Sequence, residues 1–431
     1  MTAPRIQLIL SLLVVAIIGL GCERPADLDD ASSSSPEQIT ADEPVILVSI
    51  DGMRHDYLEL HGAPTLERLR DEGAYVERFI ASFPTKTFPN HYTLVTGLHP
   101  GNHGVVSNTM YDPEFGERFS MGNDDAVTDG KWWDDGEPIW VTAEQQGRTA
   151  ATYFWPGSEA EIDGIRPSHW VPYDGRVPGT DRVDQVLEWL ELPEAERPSF
   201  LTLYFSKVDS RGHRYGPDSE EVGQALREVD GYIQRLFDGL DERGIRANVL
   251  IGSDHGMAPI SPDRTILMDE HIDTDDVFIV DYTPVAMMNT LDGVDPAPII
   301  EALDALDQVD AYHRDDIPAE LHFEGHRRIP EIIAIAEDTW SLSTTGYFER
   351  NRDRLEGGAH GYPQQNDSMQ SLLIAHGPAF ESGKRIDTLQ FVDVYPLMTH
   401  LLDLNPAPHD GSLEAAQRLL NPEYAPAAAA R

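Results

Sequence analysis

Three apolar runs of the chain end in, or shortly before, an aspartate, and two of these have a histidine close by. Asp51 follows Val45–Ile50, Asp209 and His213 follow Phe200–Phe205, and Asp254-His255 follow residues 247–251. His360, in Gly358-Ala359-His360-Gly361, adds a further donor. The single cysteine excludes a thiolate-rich site and an intrachain disulfide framework. Carboxylate and imidazole donors without sulfur suit Zn²⁺, with Mn²⁺ and related ions as competitors. A candidate nucleophile is Thr87, in Phe83-Pro84-Thr85-Lys86-Thr87-Phe88-Pro89-Asn90-His91. It precedes a short helix with Pro89 near its first turn, so it reads both as an N-cap and as an alkoxide precursor. An alkoxide at neutral pH needs a metal to lower its pKa, and a helix N-terminus beside it favours a phosphate.

These groups need a scaffold that gathers strand ends. Val45–Ile50 is an unbroken apolar run, as in a strand buried on both faces of a parallel sheet. Residues 200–205 and 247–251 read the same way, and 277–280, 286–289, 332–336 and 371–375 are further strand candidates. Helical spacing marks 64–72, 219–240 and 391–402. The alternation predicts a layered α/β fold with a central, mostly parallel sheet flanked by helices. In such sheets the carboxyl ends of the strands form the ligand crevice. The expected organisation is a single catalytic α/β domain over 44–420, with inserted lobes at about 111–180 and 267–357 and a tail at 421–431.

Composition narrows the partners. The 431 residues carry 75 acidic and 32 basic side chains, a formal charge of −43. That field argues against long nucleic acid and anionic lipid surfaces, and any phosphate-bearing substrate needs a locally positive receiver. At the amino terminus, Arg5, an apolar stretch over 6–20 and Gly19-Leu20-Gly21-Cys22 resemble a bacterial lipobox. This predicts a signal peptide over 1–21, lipidation of Cys22 and a solvated acidic, Ser-rich tether over 22–43. The expected localisation is an exported, membrane-anchored lipoprotein facing the periplasm or cell exterior, with a soluble periplasmic or secreted protein as the alternative. On this reading the chain meets a membrane only through its lipid anchor; its oligomeric state is not specified.

The blocks Val48-Ser49-Ile50-Asp51-Gly52-Met53-Arg54, Phe83 to His91, Thr96-Gly97-Leu98-His99-Pro100, Phe154-Trp155-Pro156-Gly157-Ser158, Asp209 to His213, Ser253-Asp254-His255-Gly256-Met257 and Gly358-Ala359-His360-Gly361-Tyr362 occur in order. Together they resemble the nucleotide pyrophosphatase/phosphodiesterase family (type I phosphodiesterases) of the alkaline phosphatase superfamily. The lone cysteine matches the compact bacterial form. The resemblance implies two Zn²⁺ per chain, one held by Asp51, Thr87, Asp254 and His255, the other by Asp209, His213 and His360. It implies a phosphothreonine on Thr87, and a hydrogen bond from Asn108 to a nonbridging phosphate oxygen. It also implies Phe88 on the leaving-group side and Tyr173 stacked on a nucleobase. Four metal charges against three carboxylates and an alkoxide leave a site suited to a phosphodiester monoanion. The implied reaction is hydrolysis of nucleotide phosphodiester or pyrophosphate bonds to nucleoside 5′-monophosphate. Alternatives are a choline phosphodiesterase, or a phosphomonoesterase or phosphonate hydrolase of the superfamily, and remotely a non-enzymatic surface binding lipoprotein. The chain departs from the family at Lys207-Val208, where proline is usual before the aspartate, and at Pro363-Gln364-Gln365-Asn366.

Overall fold

The computed structural model describes residues 43–426. Eight strands form the main sheet: β1 (Val45–Ile50), β2 (Ala74–Ile80), β3 (Ala150–Tyr153), β4 (His169–Val171), β5 (Phe200–Phe205), β6 (Asn248–Gly252), β7 (Ser371–His376) and β8 (Arg385–Gln390). Their order across the sheet is β8-β2-β7-β6-β1-β5-β3-β4. Only β7 runs against its neighbours; every other pairing is parallel. The layered α/β expectation is borne out. β1 shows why its sequence is apolar without alternation. All six of its residues are buried, with Val45 and Leu47 in the core on one face and Ile46, Val48 and Ile50 in the core on the other.

The helices supply those two cores. α1 (Pro64–Glu72), α3 (Gly179–Leu190) and α5 (Glu220–Arg243) pack on the Ile46 face, and α2 (Thr87–Thr96) and α6 (Val394–Leu401) on the Val45 face; α4 (Lys207–Tyr215) runs from the end of β5 to α5. Along α5, Val222, Leu226, Val229, Ile233, Leu236 and Leu240 form one fully inward stripe. Each is worth roughly 1.5–3 kcal/mol of apolar burial before entropy is counted. Ser219 accepts a hydrogen bond from Val222 N at the start of α5, and Gly244 (φ 64°) ends it in the left-handed conformation.

A second, antiparallel sheet lies within residues 277–336, in the order Val277–Asp281, Val285–Thr290, Ile332–Ala336, Val309–His313. Short strands Ala258–Ile260 and Gly357–Ala359 pair on either side of it in the sequence. Two local readings change. Asp209 and His213, which the apolar run of β5 leads into without any helical stripe to mark them, lie four residues apart on α4. Residues 391–402 divide into a 3₁₀ turn, Phe391–Asp393, and α6. Cys22 and the leader lie outside the described residues.

Candidate active site

The register of the central strands builds the site. Ile50 stands beside Phe205 and Ser49 beside Gly252, so β1, β5 and β6 end level with one another. Asp51 and Asp254 leave these ends directly, and α4 carries Asp209 back against Asp51, with Asp209 N donating to Asp51 O at 3.0 Å. Gly52 makes that approach possible. Its φ is 71°, and a Cβ there would lie 2.9 Å from Asp209 Cα. The strand pair Ala258–Ile260 and Gly357–Ala359 brings in His360, whose ring stacks on His255 at 3.5 Å between centroids.

Two groups of three side chains converge closely enough to hold a metal ion: Asp51, Asp254 and His255, and Asp209, His255 and His360. His255 belongs to both. His213, which the resemblance assigns to the second ion, reaches the same carboxylate, with Nε2 3.3 Å from Asp209 Oδ1. His255 Nε2 lies 3.0 Å from Asp254 Oδ2 and 3.6 Å from Asp51 Oδ1, and His360 Nε2 3.8 Å from Asp209 Oδ1. Ligands about 2.0–2.1 Å from a tetrahedral ion stand roughly 3.3–3.4 Å apart, within this range.

The hydrogen bonds make the case for a cation. His213, His255 and His360 each direct Nδ1 at a backbone carbonyl, of Gly358, Gly256 and Thr85, at 2.8–2.9 Å. That fixes the tautomer and leaves the Nε2 lone pairs facing inward. Opposite them, Asp51 Oδ1, Asp209 Oδ1 and Asp254 Oδ2 are buried without a hydrogen-bond partner. Lone pairs facing lone pairs in a dry crevice need positive charge between them. The acid–base balance shows the same stress. Burial, then Asp254 and Asp209, push Asp51 well above the usual carboxylate range. Burial also raises Asp209. Burial acts to raise Asp254 too, but His255 and His91 beside it bring it below the ordinary value. Burial, with His255 and His213 adjacent, holds His360 well below its usual value and hence neutral.

Thr87 is the first residue of α2 rather than its cap; the cap position is Lys86. The threonine hydroxyl is therefore not spent on the helix, and its Oγ1 lies 3.3 Å from His255 Nε2. Phe88 N donates to Asn108 Oδ1 at 2.8 Å, which orients the amide with its NH₂ group left as the donor. Thr87, Phe88, Phe154, Trp155, Tyr173 and Tyr204 line one cavity of about 250 Å³, together with Asp124 and Glu159. Tyr173 is half exposed, in edge contact with Phe154. Phe88 and Tyr173 thus share one cavity.

Several supporting residues escaped sequence reasoning. Tyr204, inside β5, donates from its hydroxyl to Asp51 Oδ2. His91, one turn into α2, sits 3.4 Å from Asp254 Oδ2, with Nδ1 on Thr87 O and Nε2 on Ser49 Oγ. Thr85 joins the Thr87 and His360 segments, donating to Tyr362 O and accepting from Gly361 N. Asp281, from the second sheet, accepts from Lys86 Nζ and Ser107 Oγ, both at 2.6 Å. Those residues immediately precede Thr87 and Asn108. Lys207, where the chain departs from the family pattern, pairs with Glu228 at the surface.

The comparisons with known proteins agree with this geometry. Residues 45–363 match the pattern of the type I phosphodiesterase / nucleotide pyrophosphatase family. The chain is 37% identical over 417 residues to a venom phosphodiesterase of Crotalus durissus collilineatus, covering 93% of this chain and 50% of that protein. It is 38% identical over 398 residues to human ectonucleotide pyrophosphatase/phosphodiesterase family member 1, covering 89% and 42%. The chain therefore spans about half the length of these relatives, but 87% of a fission yeast homologue at 35% identity. Murine ectonucleotide pyrophosphatase/phosphodiesterase 5 superposes with a TM-score of 0.83 at 33% identity, covering 88% of this chain and all of that one. Its inactive threonine-to-alanine variant, solved in complex with AMP, superposes with the same score.

These relatives correct one expectation. They come from snake, human, mouse and fission yeast, which overturns the bacterial ascription. The periplasmic, membrane-anchored lipoprotein localisation that went with it falls too. Both had rested on the four residues ending at Cys22 and on a cysteine count, signals too short to carry a lineage. Among the described residues no helix is long and apolar enough to cross a membrane.

Proposed function

The chain belongs to the type I phosphodiesterase / nucleotide pyrophosphatase family, and from that premise we propose that it is a two-zinc phosphodiesterase and nucleotide pyrophosphatase. It hydrolyses nucleotide phosphodiester or pyrophosphate bonds and releases nucleoside 5′-monophosphate. The observation that carries this reading is Thr87, at the first turn of a helix with its hydroxyl turned to His255 Nε2 rather than spent on capping, beside two convergent donor triads.

Asp51, Thr87, Asp254 and His255 would hold one zinc, and Asp209, His213 and His360 the other. When bound, the ions supply Lewis-acid stabilisation of the alkoxide, of the phosphoryl oxygens and of the departing oxygen. Thr87 Oγ attacks phosphorus, forming an Oγ–P bond as the bond to the leaving oxygen breaks; water then cleaves Oγ–P and restores the threonine. The Asn108 amide donates to a nonbridging oxygen, and the N-terminus of α2 faces the same charge. Phe88 and Tyr173 offer π faces to the base. The AMP complex of the murine homologue supports a nucleoside monophosphate as product.

A second reading has its own observation. Among the described residues Asp124 and Glu159 are the only charged ones lining the cavity, beside Phe88, Trp155 and Tyr173, a surrounding that also suits a quaternary amine. The test compares kcat/KM for the p-nitrophenyl ester of a nucleoside 5′-monophosphate, for p-nitrophenyl phosphorylcholine and for p-nitrophenyl phosphate. The nucleotide ester should be preferred; preference for phosphorylcholine would establish the second reading and sink the first.

A further inference from the structure

Away from the metal crevice, one groove has an anomalous charge. Basic residues number 32 of 431 in this chain, yet four of the fourteen residues lining a groove of about 410 Å³ are cations: Arg176, Arg182, Lys207 and Arg211. The same lining holds one carboxylate, Glu228. Lys207 pairs with Glu228, and Arg176 with Asp174. Two guanidinium groups then have no ion pair among the described residues. Arg182 is 5% exposed. It donates only to backbone carbonyls, from Nε to Val177, from Nη1 to Tyr204 and from Nη2 to Val177 and Gly175. Arg211 lies half-buried over the Tyr215 ring.

Helix geometry separates this groove from the catalytic ions. On α4, Lys207 and Arg211 lie on one face, while Asp209 and His213 point away from them at about 100° per residue. Ser206 and Ser210 add hydroxyls to the lining. Ser206 also stands at the N-terminal position of α4 without a side-chain cap, so the positive end of the helix opens here. Asp174 and Glu228 act on Arg182 and Arg211 only at longer range, without a direct ion pair. A buried guanidinium, a second one lacking a direct carboxylate partner and hydroxyl donors form a receiver for a small anion of high charge density.

We propose that this groove is a second oxyanion site, which takes inorganic phosphate or another free phosphoryl dianion independently of the catalytic centre. The test is equilibrium dialysis of labelled inorganic phosphate against the metal-loaded protein, wild type beside Arg211→Gln and Arg211→Lys. Wild type should bind one phosphate more per chain than Arg211→Gln, and Arg211→Lys should recover it. Equal stoichiometry in wild type and Arg211→Gln overturns the proposal. So does a raised KM for a nucleoside triphosphate in Arg211→Gln at unchanged phosphate stoichiometry, which would give the groove to the substrate's phosphate tail. If Arg211→Gln fails to fold, Lys207→Gln measured in the same way decides.

Discussion

Two buried acidic clusters in this molecule resolve their charge in opposite ways. Around Asp112 every charge is answered. Arg328, fully buried, donates from Nε to Asp112 Oδ2 at 2.7 Å and from its other nitrogens to the carbonyls of Gly104, Trp132 and Lys131, and Arg327 adds a second cation. Burial acts to raise Asp112, but Arg328 and Arg327 bring it below the ordinary value. Around Asp51, Asp209 and Asp254, by contrast, one oxygen of each carboxylate has no partner. The first cluster is complete within the polypeptide and locks the fold. The second is complete only with something bound. An unanswered buried charge therefore marks chemistry, and an answered one marks architecture.

The sharpest break of this comparison lies at Thr87. Thr87→Ala should lower kcat by about 10³-fold or more, about 4 kcal/mol or more of transition-state stabilisation. Its melting temperature and most of its metal content should stay near wild type, and near-normal turnover would refute the covalent route. In the complete cluster the signature reverses. Arg328→Met leaves Asp112 to the partly exposed Arg327 alone and strands the buried carbonyls of Gly104 and Trp132. It should cost about 3 kcal/mol in urea unfolding, with metal stoichiometry by atomic emission unchanged in the folded fraction.

A smaller effect per residue comes with acid. Burial and His322, stacked on its ring, hold His99 down to about 4, and burial holds His103 well below its usual value. In the unfolded chain both take up protons from about pH 6.5. The unfolded state thus binds more protons below that pH, and stability, full above it, falls as the pH drops toward 4. The expected loss between pH 7.5 and 5 is about 2–4 kcal/mol, up to about 2 for each histidine. His99→Asn should show a shallower slope, and a slope unchanged in that variant would remove His99 from the account. Smallest of all, Tyr204→Phe removes one hydrogen bond to Asp51, about 1–2 kcal/mol, and should weaken metal retention against a chelator by a corresponding factor of about 5–30.

What the sequence revealed follows the same division. Metal-binding candidates were legible because Asp51 and Asp254 directly follow apolar strands, and His360 sits among glycines. Tyr204 and His91 were not, because each occupies a position where an aromatic in a strand or helix reads as core, and only the tertiary fold turns it toward a carboxylate. The i, i+4 spacing of Asp209 and His213 was present, but a nine-residue polar helix gave no apolar stripe to mark it. Strand β8 was missed because its buried pattern is sparse, as at a sheet edge, and β4 because it has only three residues.

Asp281 bears on how small this protein can become. Lys86 is 5% exposed, and among the described residues its carboxylate partner is Asp281, in the second sheet. A shortened chain lacking that sheet would leave a bare ammonium buried one residue before Thr87, a cost of several kcal/mol. Miniaturisation, whether by design or by descent, therefore has to change position 86 before it can discard residues 277–336.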